Sequence, residues 1–120
     1  MLNLDTHILL HALQGNLTGA EERLLASDSW GISAIVLWEI AKLVQLGRVK
    51  MDLTDADVIR TITAVHVWPI TLETSILSTQ LDVVSDPADE LIGATSIIHG
   101  APLVTRDGKL RKSKRIPLAM

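Results

Sequence analysis

Met1-Leu2-Asn3-Leu4-Asp5-Thr6-His7-Ile8-Leu9-Leu10-His11-Ala12-Leu13-Gln14-Gly15 decides how the rest of the chain is read. Met1–Asp5 is a short, mostly apolar run of strand character that ends in an acid. From Thr6 the period changes: Ile8, Leu9 and Ala12 fall at helical spacing, and Gly15 supplies a stop. A strand that leads straight into a helix is the repeating unit of an α/β fold.

The alternation continues along the chain. Ala20–Ala26 predicts a short helix with Glu21 and Glu22 in its first turn, where the helix dipole favours acids. Trp30–Ile32 reads as a strand, and Ser33 as the cap of a helix over Ala34–Leu46 that stops at Gly47. Thr54 opens a further helix, with Asp57 three residues on in the manner of a capping box. Val65–Ile70 has strand composition, and Pro69 confines it to a sheet edge or a strand end. Thr71–Leu81 reads as helical. Asp86-Pro87-Ala88-Asp89 is a strong helix start, with an Asp cap and Pro at the first helical position, and that helix runs to His99 before Gly100. Pro102–Thr105 is a short buried strand, Asp107-Gly108 a turn, and Ile116–Leu118 a final strand. No adjacent pair carries a two-residue hairpin signal, so the expectation is one α/β domain over residues 1–120 with a mainly parallel sheet covered on both faces.

Composition narrows the function. The 120 residues are 48% hydrophobic, with 11 Lys+Arg against 14 Asp+Glu and a formal charge of −3. Disorder is not expected at that apolar content. The absence of Cys excludes disulfides, thiolate zinc sites and a Cys nucleophile. The absence of Phe and Tyr excludes an aromatic platform for stacking bases. No uncharged run reaches the roughly 18 apolar residues of a membrane span, and no basic leader precedes Asp5, so a cytoplasmic protein with no membrane partner is expected. Neither G-x-x-x-x-G-K-S/T nor H-E-x-x-H occurs. Trp38 and Trp68 read as core side chains, and the four His as structural or groove-lining.

In an open parallel sheet, ligands bind beyond the carboxyl ends of the strands. Asp5 ends the first strand, and Asp107 lies two residues past the strand closing at Thr105. Asp86 and Asp89 begin the preceding helix. Each has an ordinary alternative: a helix cap for Asp5 and Asp86, a turn for Asp107, and dipole complementarity for Asp89. Glu39 sits on a helix that is apolar nearly all round, and pairs with Lys42 on a solvated stripe unless it is aimed into a cleft. Gly93 and Ser96 share the Asp89 face, where small residues leave room for an ion or pack closely. Converging carboxylates without Cys suit Mg²⁺ or Mn²⁺, and the matching chemistry is phosphoester hydrolysis.

Taken together these stretches resemble the PIN-domain nucleases. Leu4-Asp5-Thr6-His7-Ile8-Leu9-Leu10 is similar to their opening motif. Ile32-Ser33-Ala34-Ile35-Val36-Leu37-Trp38-Glu39-Ile40 is similar to the second, Asp86-Pro87-Ala88-Asp89-Glu90-Leu91-Ile92-Gly93-Ala94-Thr95 to the third, and Leu103-Val104-Thr105-Arg106-Asp107 to the fourth. The order and spacing fit over essentially the whole chain, with a particular likeness to the VapC toxins of type II toxin–antitoxin pairs. The resemblance implies a three-layer α/β/α fold. It implies an acidic site of Asp5, Glu39, Asp89 and Asp107 that holds Mg²⁺ or Mn²⁺, with Thr6 and Thr105 as supporting hydroxyls and Asp86 as an accessory acid. It implies an endoribonuclease acting on RNA such as tRNA, a homodimer, and a cognate antitoxin. The sequence departs from the pattern at His11, where relatives often carry an aromatic, and at Gly93, where Ala is more usual.

Arg106, Lys109, Arg111, Lys112, Lys114 and Arg115 concentrate basic charge beside Asp107 and form the expected RNA-tracking surface. Two other readings stand beside the nuclease. One is a catalytically silent PIN-fold binding module, against which the complete acid set argues. The other is a phosphorylated receiver domain, against which stand the lone acid after the first strand and Leu110, not Pro, after Lys109.

Overall fold

The computed structural model describes residues 1–119. The chain forms β1 (Leu2–Leu4), α1 (Thr6–Gln14), α2 (Gly19–Ala26), β2 (Trp30–Ser33), α3 (Ala34–Gln45), α4 (Ala56–Ala64), β3 (His66–Trp68), α5 (Leu72–Ser78), α6 (Pro87–His99), β4 (Leu103–Val104) and a 3₁₀ turn (Leu110–Lys112). The four strands form one sheet in the order β3-β2-β1-β4, and every pairing is parallel. The chain winds from β1 outward to β3, then crosses back to place β4 on the other side of β1. Right-handed crossovers put the β1–β2–β3 connections on one face of the sheet and the return through α5 and α6 on the other, giving α/β/α layers. Receiver domains of the flavodoxin-like order 2-1-3-4-5 do not have this order, so that reading falls.

The core follows from strands buried on both faces. Leu2, Leu4, Ile32, Leu103 and Val104 pack with Ile8, Leu9, Val36, Ile40 and Ile92 from the helices. Asn3 is the polar exception. It is fully buried in β1, and its amide donates to the Ile92 carbonyl (3.0 Å) and to the Ser96 hydroxyl (2.8 Å), tying β1 to α6.

Several boundaries differ from the sequence reading. Asp55, not Thr54, caps the helix that begins at Ala56, so the Thr54–Asp57 capping box does not form; Thr54 bonds Asp52 instead. The capping box is at Thr18 and Glu21, before α2. The helix expected to reach Leu81 stops at Ser78. Ile116–Leu118 contributes a single parallel bridge, Leu118 to Leu103. The edge position expected from Pro69 is found, since β3 pairs with β2 alone. Trp68 is buried, but Trp38 is 58% exposed, and Leu37 and Leu46 are exposed beside it. An apolar helix surface is therefore not all core here. Gly93 is settled by space: a Cβ there would lie 2.7 Å from Ile116 Cδ1. Gly93 and Ser96 thus serve helix packing and the Asn3 bond rather than leaving room beside Asp89.

Asn3→Ala strands the Ser96 hydroxyl in the core and should lower the unfolding free energy by about 2 kcal/mol. Urea denaturation with an unchanged midpoint would contradict the tie between β1 and α6.

Candidate functional site

The strand order reverses between β1 and β4, and an open α/β sheet forms its crevice at such a point. Asp5 leaves the end of β1 there. One carboxylate oxygen caps α1 by accepting from the Ile8 amide (2.9 Å), and the other accepts from the Thr105 hydroxyl. The cap and the site are one arrangement. Thr105 also accepts from the Asp107 amide (3.0 Å), which fixes the loop after β4. Asp107 Oδ1 accepts from the Lys109 and Leu110 amides (2.8 and 2.9 Å), so the expected turn chemistry is present, and both bonds fall on that one oxygen.

Glu39 arrives from α3. It accepts from the Thr6 hydroxyl (2.5 Å), while Lys42 donates to Gln45 (2.7 Å). The Glu39–Lys42 pair therefore does not form. Asp89 sits in the first turn of α6, where the helix dipole favours an anion, and accepts from the Ser85 hydroxyl (3.2 Å). Asp86 has the backbone of a cap but makes no side-chain cap bond, so the expected cap reading fails for its carboxylate. Instead Glu90 reaches back to the Ser85 amide (3.4 Å).

Asp5, Asp86, Asp89 and Asp107 line one cavity of about 370 Å³ with His7, His11 and Arg106. Glu39 lines an adjoining cavity that shares His7, His11 and Asp86 with the first. A larger cavity of about 540 Å³ involves Met1, Asp28, Trp30 and His66, at the amino ends of the strands. Its one carboxylate, Asp28, is paired with the Met1 ammonium (3.0 Å), so the chemistry of an acid cluster belongs to the smaller cavity.

Electrostatics follow from that crowding. Burial, with the charges of Glu39, Asp107 and Asp5, pushes the Asp89 carboxyl up to about 6, against the bond from Ser85. Burial also raises Asp5, although Thr105, Ile8 and His7 oppose the shift. The cation nearest the cluster is committed elsewhere. Arg106 forms a two-toothed pair with Glu21 (2.8 and 2.5 Å), which holds the Glu21 carboxyl down at about 2.

Among the described residues, no three His, Asp or Glu side chains close tightly enough to hold an ion unaided. The donor set nevertheless fits a hard cation. All the acids offer oxygen, two are disfavoured as anions, and Mg²⁺ typically keeps several waters, so ligation partly through water suits this spacing.

The basic segment divides in two. Arg106 is held by Glu21, Arg111 donates to the Thr105 carbonyl (3.3 Å), and Arg115 to the Gln80 carbonyl (2.8 Å). Lys109, Lys112 and Lys114 are exposed. The arginines fasten the C-terminal segment; the lysines face solvent. Sequence reasoning did not single out Ser85 or Arg48, and it read Glu21 only as a first-turn acid of its helix. Ser85 had a weak signal in its place before Asp86-Pro87. Thr18-Gly19-Ala20-Glu21 carried a capping-box signal, but the Arg106 partner of Glu21 and the surroundings of Arg48 come from distant elements.

The PIN domain family model matches residues 3–116. The chain is 31% identical over 99 residues to Ribonuclease VapC22 of Mycobacterium tuberculosis (strain ATCC 25618 / H37Rv), covering 79% of this chain and 75% of that protein. Its fold is similar to one chain of a toxin-antitoxin complex from Klebsiella pneumoniae (TM-score 0.76, 16% identity, 100% of this chain and 98% of that one). It is also similar to one in VapBC2 from Rickettsia felis bound to a DNA fragment from their promoter (TM-score 0.71, 19% identity, 98% and 97% covered). With the acids at the strand crossover and the family match spanning nearly the whole chain, the protein belongs to the PIN-domain family and is of the VapC type.

Proposed function

We propose that this chain, acting as one domain over residues 1–120, is a Mg²⁺- or Mn²⁺-dependent endoribonuclease and the toxin of a cytoplasmic toxin–antitoxin pair. The observation that carries the reading is the crowding of Asp5, Asp86, Asp89 and Asp107 around one crevice, with Asp89 raised to about 6 by burial and neighbouring charge. Only a cation makes such a set favourable in its ionised form. The relative named a ribonuclease supports the activity, and the fold shared with toxin–antitoxin complexes supports the partner.

Asp5, Asp107, Asp89 and Glu39 would hold the ion, the last two directly or through water. The ion would supply charge neutralisation at the scissile phosphate and acidify the attacking water. The chain's own residues do the positioning. Thr105 orients Asp5, Thr6 orients Glu39, and Ser85 orients Asp89. The N-terminus of α6 adds a favourable potential for phosphate. Lys109, Lys112 and Lys114, which are exposed, would follow the RNA backbone. tRNA is the structured substrate the reading favours.

Exposed apolar side chains support protein partners. Leu37 and Ile59 are 38% and 46% exposed around a cavity between α3 and α4, and Trp38, Leu72, Ile76 and Val84 are 58%, 77%, 49% and 83% exposed elsewhere. Monomers rarely leave so much large apolar surface uncovered. An antitoxin and a second copy of the chain account for it. Among the described residues no helix is long and apolar enough to cross a membrane.

Asp5→Asn keeps an N-cap oxygen for Ile8, so the fold should survive while RNA cleavage falls by about 10²-fold or more. Full cleavage by a folded Asp5→Asn protein would reject the assignment. A wild-type protein that binds RNA but never cleaves it, with or without Mg²⁺, would favour the silent binding module.

The pH dependence has a definite sign. Asp89 binds its proton more tightly folded than at its ordinary 3.8, so metal-free stability should fall as pH rises from about 4 through about 6. Asp5 shifts the same way. Added Mg²⁺ or Mn²⁺ should therefore raise the melting temperature more at pH 7 than at pH 5. Asp89→Asn should raise the metal-free value at pH 7 by several degrees, on the order of 1 kcal/mol. Equal responses to the cation at both pH values would contradict the site.

Replacing Lys109, Lys112 and Lys114 with Gln should weaken RNA binding and reduce the slope of log K against log salt by about 2. An unchanged slope, measured by filter binding across salt, would remove these lysines from the RNA surface.

A further inference from the structure

The cavity of about 450 Å³ that adjoins the acid crevice differs from it in character. Leu10, Leu43 and Val49 give it apolar walls, while Gln14, Arg48 and Asp86 place polar groups around them. Its volume lies within the ~300–1,000 Å³ of small-ligand sites. The shared wall of His7, His11 and Asp86 makes it the next space along a strand whose phosphate sits at the acids.

Two observations point to a ligand. Among the described residues the ion pairs are Met1–Asp28, Arg60–Asp57 and Arg106–Glu21, so Arg48 enters none, although it shares the cavity with Glu39 and Asp86. Asp86, on the same wall, makes no side-chain cap bond to α6.

We propose that this cavity receives the nucleobase beside the scissile phosphate and selects guanine, with Arg48 as the specificity-determining residue. The inference rests on the nuclease reading above. Guanine presents two acceptors, O6 and N7, that match the fork of a guanidinium. On its other edge N1–H and the N2 amino group match a carboxylate such as Asp86, whose oxygens are not used in capping α6. Adenine sets an amino donor beside N7 and repels the guanidinium. Pyrimidines are smaller, and cytosine offers one amino donor. Single-stranded RNA bases are commonly read on both edges in this way, with His and Arg as stacking groups where other aromatics are missing.

The test titrates 5′-GMP, AMP, CMP and UMP, each carrying the same phosphate, into the full chain with Mg²⁺ and follows the His7 and His11 ring resonances. GMP should bind about tenfold more tightly than the others and shift both rings. Arg48→Ala, an exposed position after α3, should bring GMP within about twofold of AMP, and Arg48→Lys should not restore the preference. Equal binding of the four nucleotides, or a guanine preference that persists in Arg48→Ala, overturns the proposal. The two readings fail separately. RNA cleaved without a guanine preference removes the pocket and keeps the nuclease. GMP selected by a protein that cleaves no RNA removes the nuclease and keeps the pocket.

Discussion

The two oxygens of the Asp5 carboxylate hold together most of what matters in this molecule. One starts α1 through the Ile8 amide, and the other takes the hydroxyl of Thr105, a hundred residues away in sequence. The first bond sets the direction in which the chain leaves β1. The second joins β1 to the loop after β4, across the point where the sheet changes winding direction. A buried carboxylate is costly unless hydrogen-bonded, so these bonds make the position of Asp5 nearly independent of any ligand. The other acids are then arranged around a fixed point.

That arrangement carries a stored repulsion. Glu39, Asp89 and Asp107 each receive hydrogen bonds from neutral groups: a hydroxyl for the first two, backbone amides for the third. Neutral donors orient a carboxylate without cancelling its charge. Arg106, the cation that lines the same crevice, is drawn off by Glu21. The formal charge of the chain is −3, less than the four site acids alone contribute, so the remainder of the surface is net positive. The acidity of the chain is therefore concentrated at the site rather than spread over its surface.

Much of this was legible in the sequence, and the exceptions share a cause. The change of period at Thr6 located β1, α1 and Asp5 because strand and helix patterns are local. The helix start at Asp86-Pro87 was legible for the same reason. The use of the Asp86 carboxylate was not, because whether it caps α6, and whether the Ser85 amide donates to Glu90, depends on side-chain reach. Glu39 lay on an apolar helix where pairing with Lys42 was the simplest local reading, and its partner Thr6 is 33 residues away. Gly93 beside Asp89 suggested open space, yet Ile116 fills it from the end of the chain. Trp38 shows the limit of hydrophobicity as a guide, since an apolar side chain reports burial in an assembly as readily as in a monomer.

The run of basic residues after Thr105 shows the same limit in charge. By composition its arginines and lysines are equivalent. In the fold, a planar guanidinium can reach carbonyls and the Glu21 carboxylate with two donors at once, so Arg106, Arg111 and Arg115 are used to fasten the segment against the body. An ammonium on a flexible stem is strongly hydrated and stays outside, which leaves Lys109, Lys112 and Lys114 as exposed positive charge. Such lysines follow a phosphate backbone but do not distinguish bases. With no Phe or Tyr in the chain, base discrimination under the proposed reading would come from side chains that meet base edges in a confined space. In the proposed pocket the walls of Leu10, Leu43 and Val49 beside the acids would provide that confinement, and the Arg48 guanidinium would meet the base edge.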